Sequence, residues 1–536
     1  SIKPLFPPTS AGMSKPGLPV TENVALAHGV ALARGAILNA AAFLASNLRG
    51  IFILLVARLL GSSVLGIFGL AWASMDFLSK FATLGLDYSA IAFVAKAEAV
   101  GDRAASRRIM RSALTISLGA SVALAGLGGW FAWTIGPRLG YQPELVRATA
   151  VMLLALPGLV LYRVSNALSR GMGVMHHDIF SRGLTESLGT AVALLVALLV
   201  GMNRLAPEVA AIAGTLVSGL VAFFLARRLY RMTPEVEPVP HSHSHLTRKL
   251  MRASAPIALY DLLNLGVMHI DVIMLGLFVG RAPGVTIETL GIYAAAVQIG
   301  GGLRKISQAF TPIFTPVVAR HLVQAELRNA EESYGYLARW MLALLLPAVA
   351  VLSLSGGAIM TIFGPTFSSG YAWVAIIGSA CAINAFVSLG ETILMVERPH
   401  LNLINSAIVF AAAVGFNLVF IPAFGALGAA LGMLVPYSLQ GILRGVEIPL
   451  LLQWRWPWRA LLKPWIAALL PLPVAFLARQ AVAGNIGQLA SVALYLIGYV
   501  LAWRAIGMDE GDRAVLDHLF RRRKTGRKSK AQITNL

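Results

Sequence analysis

Charged and polar side chains lie inside stretches that are otherwise apolar, and their spacing gathers them onto helix faces. Asp76, Lys80 and Asp87 follow one another at steps of four and seven, Asp261, Asn264 and Asp271 at three and seven, and Asn39, Ser46 and Arg49 at seven and three. Each set falls on one face of a helix. Arg304 and Lys305 follow Gly300-Gly301-Gly302, with Pro312 and Pro316 beyond; Asn384, Ser388 and Glu391, and then Tyr437, Gln440, Arg444 and Glu447, make two more sets. An ionisable residue at membrane depth is costly, and it faces a cavity, a partner or backbone carbonyls. The bases suggest anion chemistry. Arg49, Lys80, Arg304 and Lys305 in one ring would suit a diphosphate, because arginine grips phosphate oxygens in bidentate fashion and lysine acts as a point charge. The acids suggest cation chemistry: Asp271, and Asp87 or Asp261, would take up H⁺ or Na⁺ and couple it to a conformational change. Asn39, Ser46, Asp76, Asn264, Glu391 and Arg444 are the expected polar lining of the cavity. Plainer readings stand beside these. Asp76 and Lys80, four apart, can neutralise one another, as can Arg444 and Glu447. Glu391 and Arg444 can reach headgroups from their helix ends, and Arg49, Arg304 and Lys305 can snorkel or bond to carbonyls. The acids can also simply pair with the basic ring.

The elements that hold these residues must be membrane-spanning helices. Hydrophobic residues make up 57% of the 536 and charged residues only 13%, against about 25% charged in an average soluble domain. Apolar stretches recur from about residue 30 to residue 506, and roughly 20 apolar residues as helix cross a bilayer. Buried backbone polar groups in lipid leave only helices or a closed barrel, and the alternation of a barrel is missing. The pattern predicts an all-α polytopic membrane protein of about fourteen spans, near 31–57, 64–90, 109–135, 146–166, 179–201, 207–228, 254–279, 289–318, 336–362, 371–394, 401–421, 427–450, 463–479 and 487–506.

The net charge of +20 is explained by where the charges fall. With the N-terminus inside, the return loops carry Lys96, Arg103, Arg107, Arg108, Arg170, Arg182, Arg227, Arg228, Arg231, Arg248, Lys249, Arg320, Arg328, Arg398, Arg455, Arg459 and Lys463. The opposite loops carry Arg58, Arg138, Arg147, Arg204, Arg281 and Arg479. This is the bias that orients spans during insertion, and it puts both termini in the cytoplasm. The basic balance is then a topology signal rather than a nucleic-acid footprint. Residues 508–536 form a basic cytoplasmic tail in which Arg521-Arg522-Arg523-Lys524, Arg527, Lys528 and Lys530 favour anionic lipids at about 1 kcal/mol per charge. Residues 1–28 read as a disordered cytoplasmic tail, with Met13 as a candidate natural start.

The longest polar break, 231–253, divides six spans from eight. Leu65-Gly66-Ile67-Phe68 and Leu290-Gly291-Ile292-Tyr293 each follow an apolar helix that ends in Gly, and Lys80 and Lys305 lie fourteen residues after Gly66 and Gly291. This is a parallel internal repeat, an architecture that places a substrate site between two halves. It predicts an N-lobe at 29–230, a linker at 231–253, a C-lobe at 254–450, two extra helices at 451–507 and the tail at 508–536. Cys381 alone excludes an internal disulfide and a Cys-rich metal site. His241, His243 and His245, alternating on one strand of linker, make a poor metal site, and His176-His177-Asp178 reads as a solvated turn. Gly126-Leu127-Gly128-Gly129 suits close helix packing. No nucleotide-binding loop is present, so no nucleotide, metal or other cofactor is expected.

The segments 56–95, VARLLGSSVLGIFGLAWASMDFLSKFATLGLDYSAIAFVA, and 255–280 with 288–299, APIALYDLLNLGVMHIDVIMLGLFVG and ETLGIYAAAVQI, resemble the polysaccharide and oligosaccharide exporters of the multidrug/oligosaccharidyl-lipid/polysaccharide (MOP) superfamily. Asp271 stands at the acidic position of that pattern. The resemblance implies two pseudo-symmetric six-helix lobes in a V with two extra C-terminal helices, in a bacterial inner membrane. It also implies a flippase, not an enzyme, that carries polyprenyl-diphosphate-linked oligosaccharide by alternating access for cell-surface polysaccharide synthesis, with polysaccharide assembly proteins as partners. An inside-negative potential would assist outward movement of two negative charges by roughly 4.6 kcal/mol per 100 mV. Two rivals are a cation-coupled drug exporter of the same superfamily, which would favour an acidic, aromatic cavity, and a membrane glycosyltransferase or polymerase, for which the short outward loops leave little room.

Overall fold

The computed structural model describes residues 22–232, 245–324, 326–456, 458–482 and 484–507, with most side chains from Arg49 onward. The expected tails, most of the linker with His241 and His243, and the side chains of Asn39 and Ser46 lie outside the described residues. The chain is helical nearly throughout, with no strand among the described residues.

Backbone breaks fall where the sequence allows them. The first helix, α1 (Glu22–Thr83), has 62 residues and changes direction at Gly61, whose φ of 84° is open to glycine. Leu84 and Gly85, both at positive φ, separate it from α2 (Leu86–Ala99). Asp102 caps α3 (Arg103–Ile135) by accepting from the Ala105 N–H at 2.9 Å. Proline opens α4 (Pro143–Met152) and sits in the first turn of α5 (Leu156–Gly171). A short α6 (His176–Asp178) and a π-helical stretch lead into α7 (Ser187–Leu199), and α8 (Ala206–Met232) completes the first lobe.

The second lobe begins with α9 (Leu246–Leu277). The next span comes as two pieces, α10 (Ile287–Gly301) and α11 (Arg304–Val323), parted at the Gly300-Gly301-Gly302 run. Then follow α12 (Leu327–Met360), α13 (Tyr371–Glu397), α14 (Pro399–Phe424) and α15 (Ala426–Leu452), and finally α16 (Trp458–Leu469), α17 (Leu472–Ala481) and α18 (Gly484–Ala502).

Twelve described segments are long and apolar enough to cross a membrane. The first, Arg49–Ala99, has 51 residues; at 1.5 Å per residue it is about 76 Å long, more than two bilayer cores. The break at Gly61 therefore makes it parts of two spans. With the split α10–α11 span, the described residues hold fourteen.

The two lobes meet along α1 and α2 on one side and α9 and α10 on the other. Gly66 and Gly291, the equivalent glycines of the repeat, touch each other. A Cβ on Gly66 would lie 2.7 Å from the Gly291 nitrogen, and one on Gly291 would run into the Ser62 carbonyl oxygen. Equivalent residues of two halves meet in this way at a two-fold axis, so the contact marks the pseudo-symmetry axis. The same end is tied by Arg58, which donates to the Ile362 carbonyl at 2.6 Å and the Thr361 carbonyl at 3.2 Å, and by Arg281 stacked on Tyr141. At the opposite end Gly85 packs against the backbone of Ser254 and Ala258, Ser89 bonds to Ser254, and Ser112 bonds to Thr247.

The last three helices form a separate cluster with α12. Tyr499 donates to the Ala343 carbonyl at 2.6 Å, Tyr495 to the Ala468 carbonyl at 3.2 Å, and the Gln488 side chain accepts from the Ala358 N–H at 2.8 Å. They belong to the outside of the second lobe and take no part in the seam.

Candidate functional site

A cavity of about 370 Å³ lies between the lobes, between the Gly66–Gly291 contact and the Gly85–Ser254 contact. Its walls come from α1 on both sides of Gly61, from α9, and from the α10–α11 junction. Along α1, Phe68, Trp72 and Asp76 recur every four residues and so present one face. Met268, His269 and Val272 face them from α9, and Gln298, Gly301, Gly302, Arg304 and Lys305 from the junction.

Three expected bases line this space together: Arg49, Arg304 and Lys305. The Arg49 guanidinium stacks on the Trp72 ring at 3.5 Å. Stacking occupies the face of the guanidinium and leaves its N–H edge for other partners. Arg304 donates to the Tyr437 hydroxyl at 3.2 Å and lies 5.6 Å from that ring, and its Nε is buried with no protein partner among the described residues. The two glycines before Arg304 leave the lining without side chains there, so the backbone recedes where the guanidinium projects.

Lys80 departs from the expected ring. It is 8% exposed, does not line the cavity, and is held by Asp87 at 3.0 Å and by Asp261. Across the break at Leu84–Gly85, Asp87 of α2 reaches Lys80 of α1 seven residues before it, while α9 supplies Asp261 from the other lobe. The expected Asp76–Lys80 pair is replaced as well. Asp76 takes Arg163 of α5 at 2.5 Å on one oxygen and His269 of α9 at 3.0 Å on the other. Arg163 also donates to the Ser79 hydroxyl, which bonds in turn to the Asp76 carbonyl. Asp76 and Lys80 thus each join the two lobes, through His269 and Asp261.

The other expected residues lie elsewhere. Asp271 is 1% exposed and accepts from the Tyr293 hydroxyl at 2.7 Å within the second lobe, outside the cavity lining. Asn264 accepts from Ser406 at 3.1 Å. Glu391 accepts from Tyr260 and from Arg444, the latter at 3.2 Å, and Arg444 also donates to the Val387 carbonyl. The expected Arg444–Glu447 pair gives way to this one, and Glu447 accepts from Asn405 at 2.6 Å. Asn264, Glu391 and Arg444 therefore form polar clusters inside the second lobe instead of lining the central cavity. Among the described members of the expected polar lining, Asp76 is the one that faces it. No group of three or more His, Cys, Asp or Glu that could hold a metal occurs among the described residues.

Sequence reasoning missed Arg163, Trp72 and His269. Arg163 had a signal: it is an arginine inside the apolar span 146–166, and such a residue needs a partner. His269 and Trp72 had none apart from lying on the same helices as Asp271 and Asp76.

A cationic hollow at the seam of a two-lobed helical bundle is the architecture of a membrane transporter. A family model described as polysaccharide biosynthesis protein matches residues 32–321, more than half of the chain, and the chain belongs to that family, within the MOP superfamily of transporters and flippases. No curated protein matches it in sequence. Among solved structures it is similar to an inward-facing multidrug resistance MATE family transporter of the MOP superfamily, at TM-score 0.65 and 16% identity over 76% of this chain and 94% of that one. It is equally similar in fold to the lipid II flippase MurJ in an inward closed conformation, at TM-score 0.65 and 14% identity over 88% and 99%. An outward-facing MATE family transporter fits with TM-score 0.53 and 16% identity over 78% and 94%.

Proposed function

We propose that this transporter carries a polyprenyl-diphosphate-linked oligosaccharide from the cytoplasmic to the outer leaflet of a bacterial inner membrane, for cell-surface polysaccharide synthesis. The observation that carries the reading is the cavity charge. Arg49, Arg304 and Lys305 stand in its lining against one carboxylate, Asp76, which Arg163 and His269 already engage, and Arg49 also shares a small side pocket with the buried Glu186, so three cationic side chains exceed the carboxylates beside them. A doubly negative diphosphate complements that surplus, and a cationic drug does not. The volume of about 370 Å³ falls in the usual range of ligand pockets. In this reading the diphosphate sits against Arg49 and Arg304 with the sugar beside it, and the prenyl chain stays in lipid near α16–α18. The lobes then rock about the Gly66–Gly291 contact.

The family match supports polysaccharide synthesis as the process, and one protein of the same fold is a lipid II flippase. The Lys80–Asp87–Asp261 cluster is the proposed place for H⁺ or Na⁺ to act, because a cation there would compete with Lys80 for the carboxylates and loosen one tie between the lobes. Asp271, shut away with Tyr293, is the second candidate. The proposed orientation has both termini in the cytoplasm, as the loop charges favour.

The test is deletion of the gene with recovery of lipid-linked intermediates. The expected result is accumulation of a complete oligosaccharide lipid facing the cytoplasm. A truncated sugar would point to a glycosyltransferase or polymerase, and normal intermediates with heightened drug sensitivity would point to an exporter.

A further inference from the structure

A second groove, of about 610 Å³, lies on the first lobe away from the seam. Its walls are the start of α3 and the end of α8, and α5 forms its floor at Leu161; both walls pack on α5. Arg107 and Arg111 come from α3, and Arg227 and Arg231 from α8. The two helices run in opposite directions, so both pairs lie at the same end of the groove. Among the described residues no acidic side chain lines it.

Deeper in, the lining changes character. Leu114 and Leu118 continue the α3 face, Phe223 continues the α8 face, and Leu161 closes the bottom. Seven helical residues separate Arg111 from Leu118, or about 10 Å of depth along the helix axis. The groove thus passes from four guanidinium groups to hydrocarbon in the direction from membrane surface to membrane centre.

We propose that this groove is a binding site for an anionic phospholipid of the surrounding leaflet, with its phosphate among Arg107, Arg111, Arg227 and Arg231 and one acyl chain along Leu114, Leu118, Leu161 and Phe223. Guanidinium groups bind phosphate through charge-assisted paired hydrogen bonds, and basic pockets between spans take acidic headgroups. The apolar floor selects an amphiphile over a free anion. A bound lipid bridges α3 and α8, so it would brace the first lobe without entering the transport cavity.

The test is native mass spectrometry of the purified full chain after delipidation and titration with phosphatidylglycerol or with phosphatidylcholine of the same acyl chains. Wild type is expected to retain phosphatidylglycerol and not phosphatidylcholine. Arg111→Gln with Arg227→Gln is expected to weaken retention about thirtyfold, from the attraction per basic side chain at an anionic surface. Leu118→Trp, which fills the groove and keeps all four arginines, is expected to weaken it too. Arg328→Gln with Arg398→Gln, an equal charge change at exposed sites elsewhere, is expected to leave it unchanged. Equal retention of the two lipids overturns the proposal, as does loss in the Arg328/Arg398 control equal to that in the groove variant. Unchanged retention in Leu118→Trp, or displacement by glycerol phosphate alone, overturns the acyl half of the site.

Discussion

Removing Arg163 should damage this protein more than removing Arg163 and the charge of Asp76 together. Asp76 is bound by Arg163 at 2.5 Å and by His269 at 3.0 Å, and the side chains of the ion pair are only 18% and 12% exposed. Breaking a buried pair by deleting one partner costs roughly 3–5 kcal/mol, because the remaining charge is left uncompensated. His269 still holds one Asp76 oxygen, so the lower end applies to Arg163→Gln, about 3 kcal/mol or roughly a hundredfold in the equilibrium. Asp76→Asn in that background removes the stranded charge and should return most of the loss. Thermal denaturation in detergent of the four members of the cycle reads the coupling directly. The expected order has the double variant above Arg163→Gln in midpoint. Additive effects, with coupling below about 0.5 kcal/mol, would refute the pairing. The cycle also has a transport consequence. An Asp76 carboxylate freed from Arg163 becomes an internal competitor for Arg49 and Arg304, so Arg163→Gln should bind anionic substrate worse although Arg163 is absent from the cavity lining.

The seam gives a second prediction. Gly291→Ala would set a Cβ against the Ser62 carbonyl, and Gly66→Ala one against the Ile287 carbonyl and the Gly291 nitrogen. Each contact is with backbone and cannot relax by a rotamer change, so both variants should separate the lobes at that end. Cysteine pairs across the Gly66–Gly291 contact, read by crosslinking, should join less efficiently in either variant; undiminished crosslinking would contradict the close approach.

Much of the architecture was legible in the sequence because its causes are local. Apolarity over some twenty residues makes a span wherever it occurs, and Gly61 and Gly300–Gly302 mark breaks that α1 and the α10–α11 junction show, whereas the break at Leu84–Gly85 falls inside the expected span 64–90. The repeat was legible through Gly66 and Gly291 because a pseudo-two-fold axis needs small residues where backbones meet. The ion pairs were harder, since pairing is decided by which helices approach. Asp76 and Lys80 satisfy the four-residue rule, yet α5 brings Arg163 and α9 brings His269 and Asp261, and these partners win. Likewise Arg444 turns from Glu447 on its own helix to Glu391 on α13. Arg49, Arg304 and Lys305 were legible as bases needing a destination. That they share one hollow while Lys80, the repeat partner of Lys305, is neutralised follows only from the fold.

The central claim is that Arg49 and Arg304 hold a diphosphate between the lobes, and the most direct measurement is binding of a polyprenyl-diphosphate sugar to the purified protein. Each charged contact contributes about 1.5–3 kcal/mol, so Arg49→Gln with Arg304→Gln should raise Kd by at least a hundredfold. Wild-type affinity in the Arg49/Arg304 double variant would contradict the account.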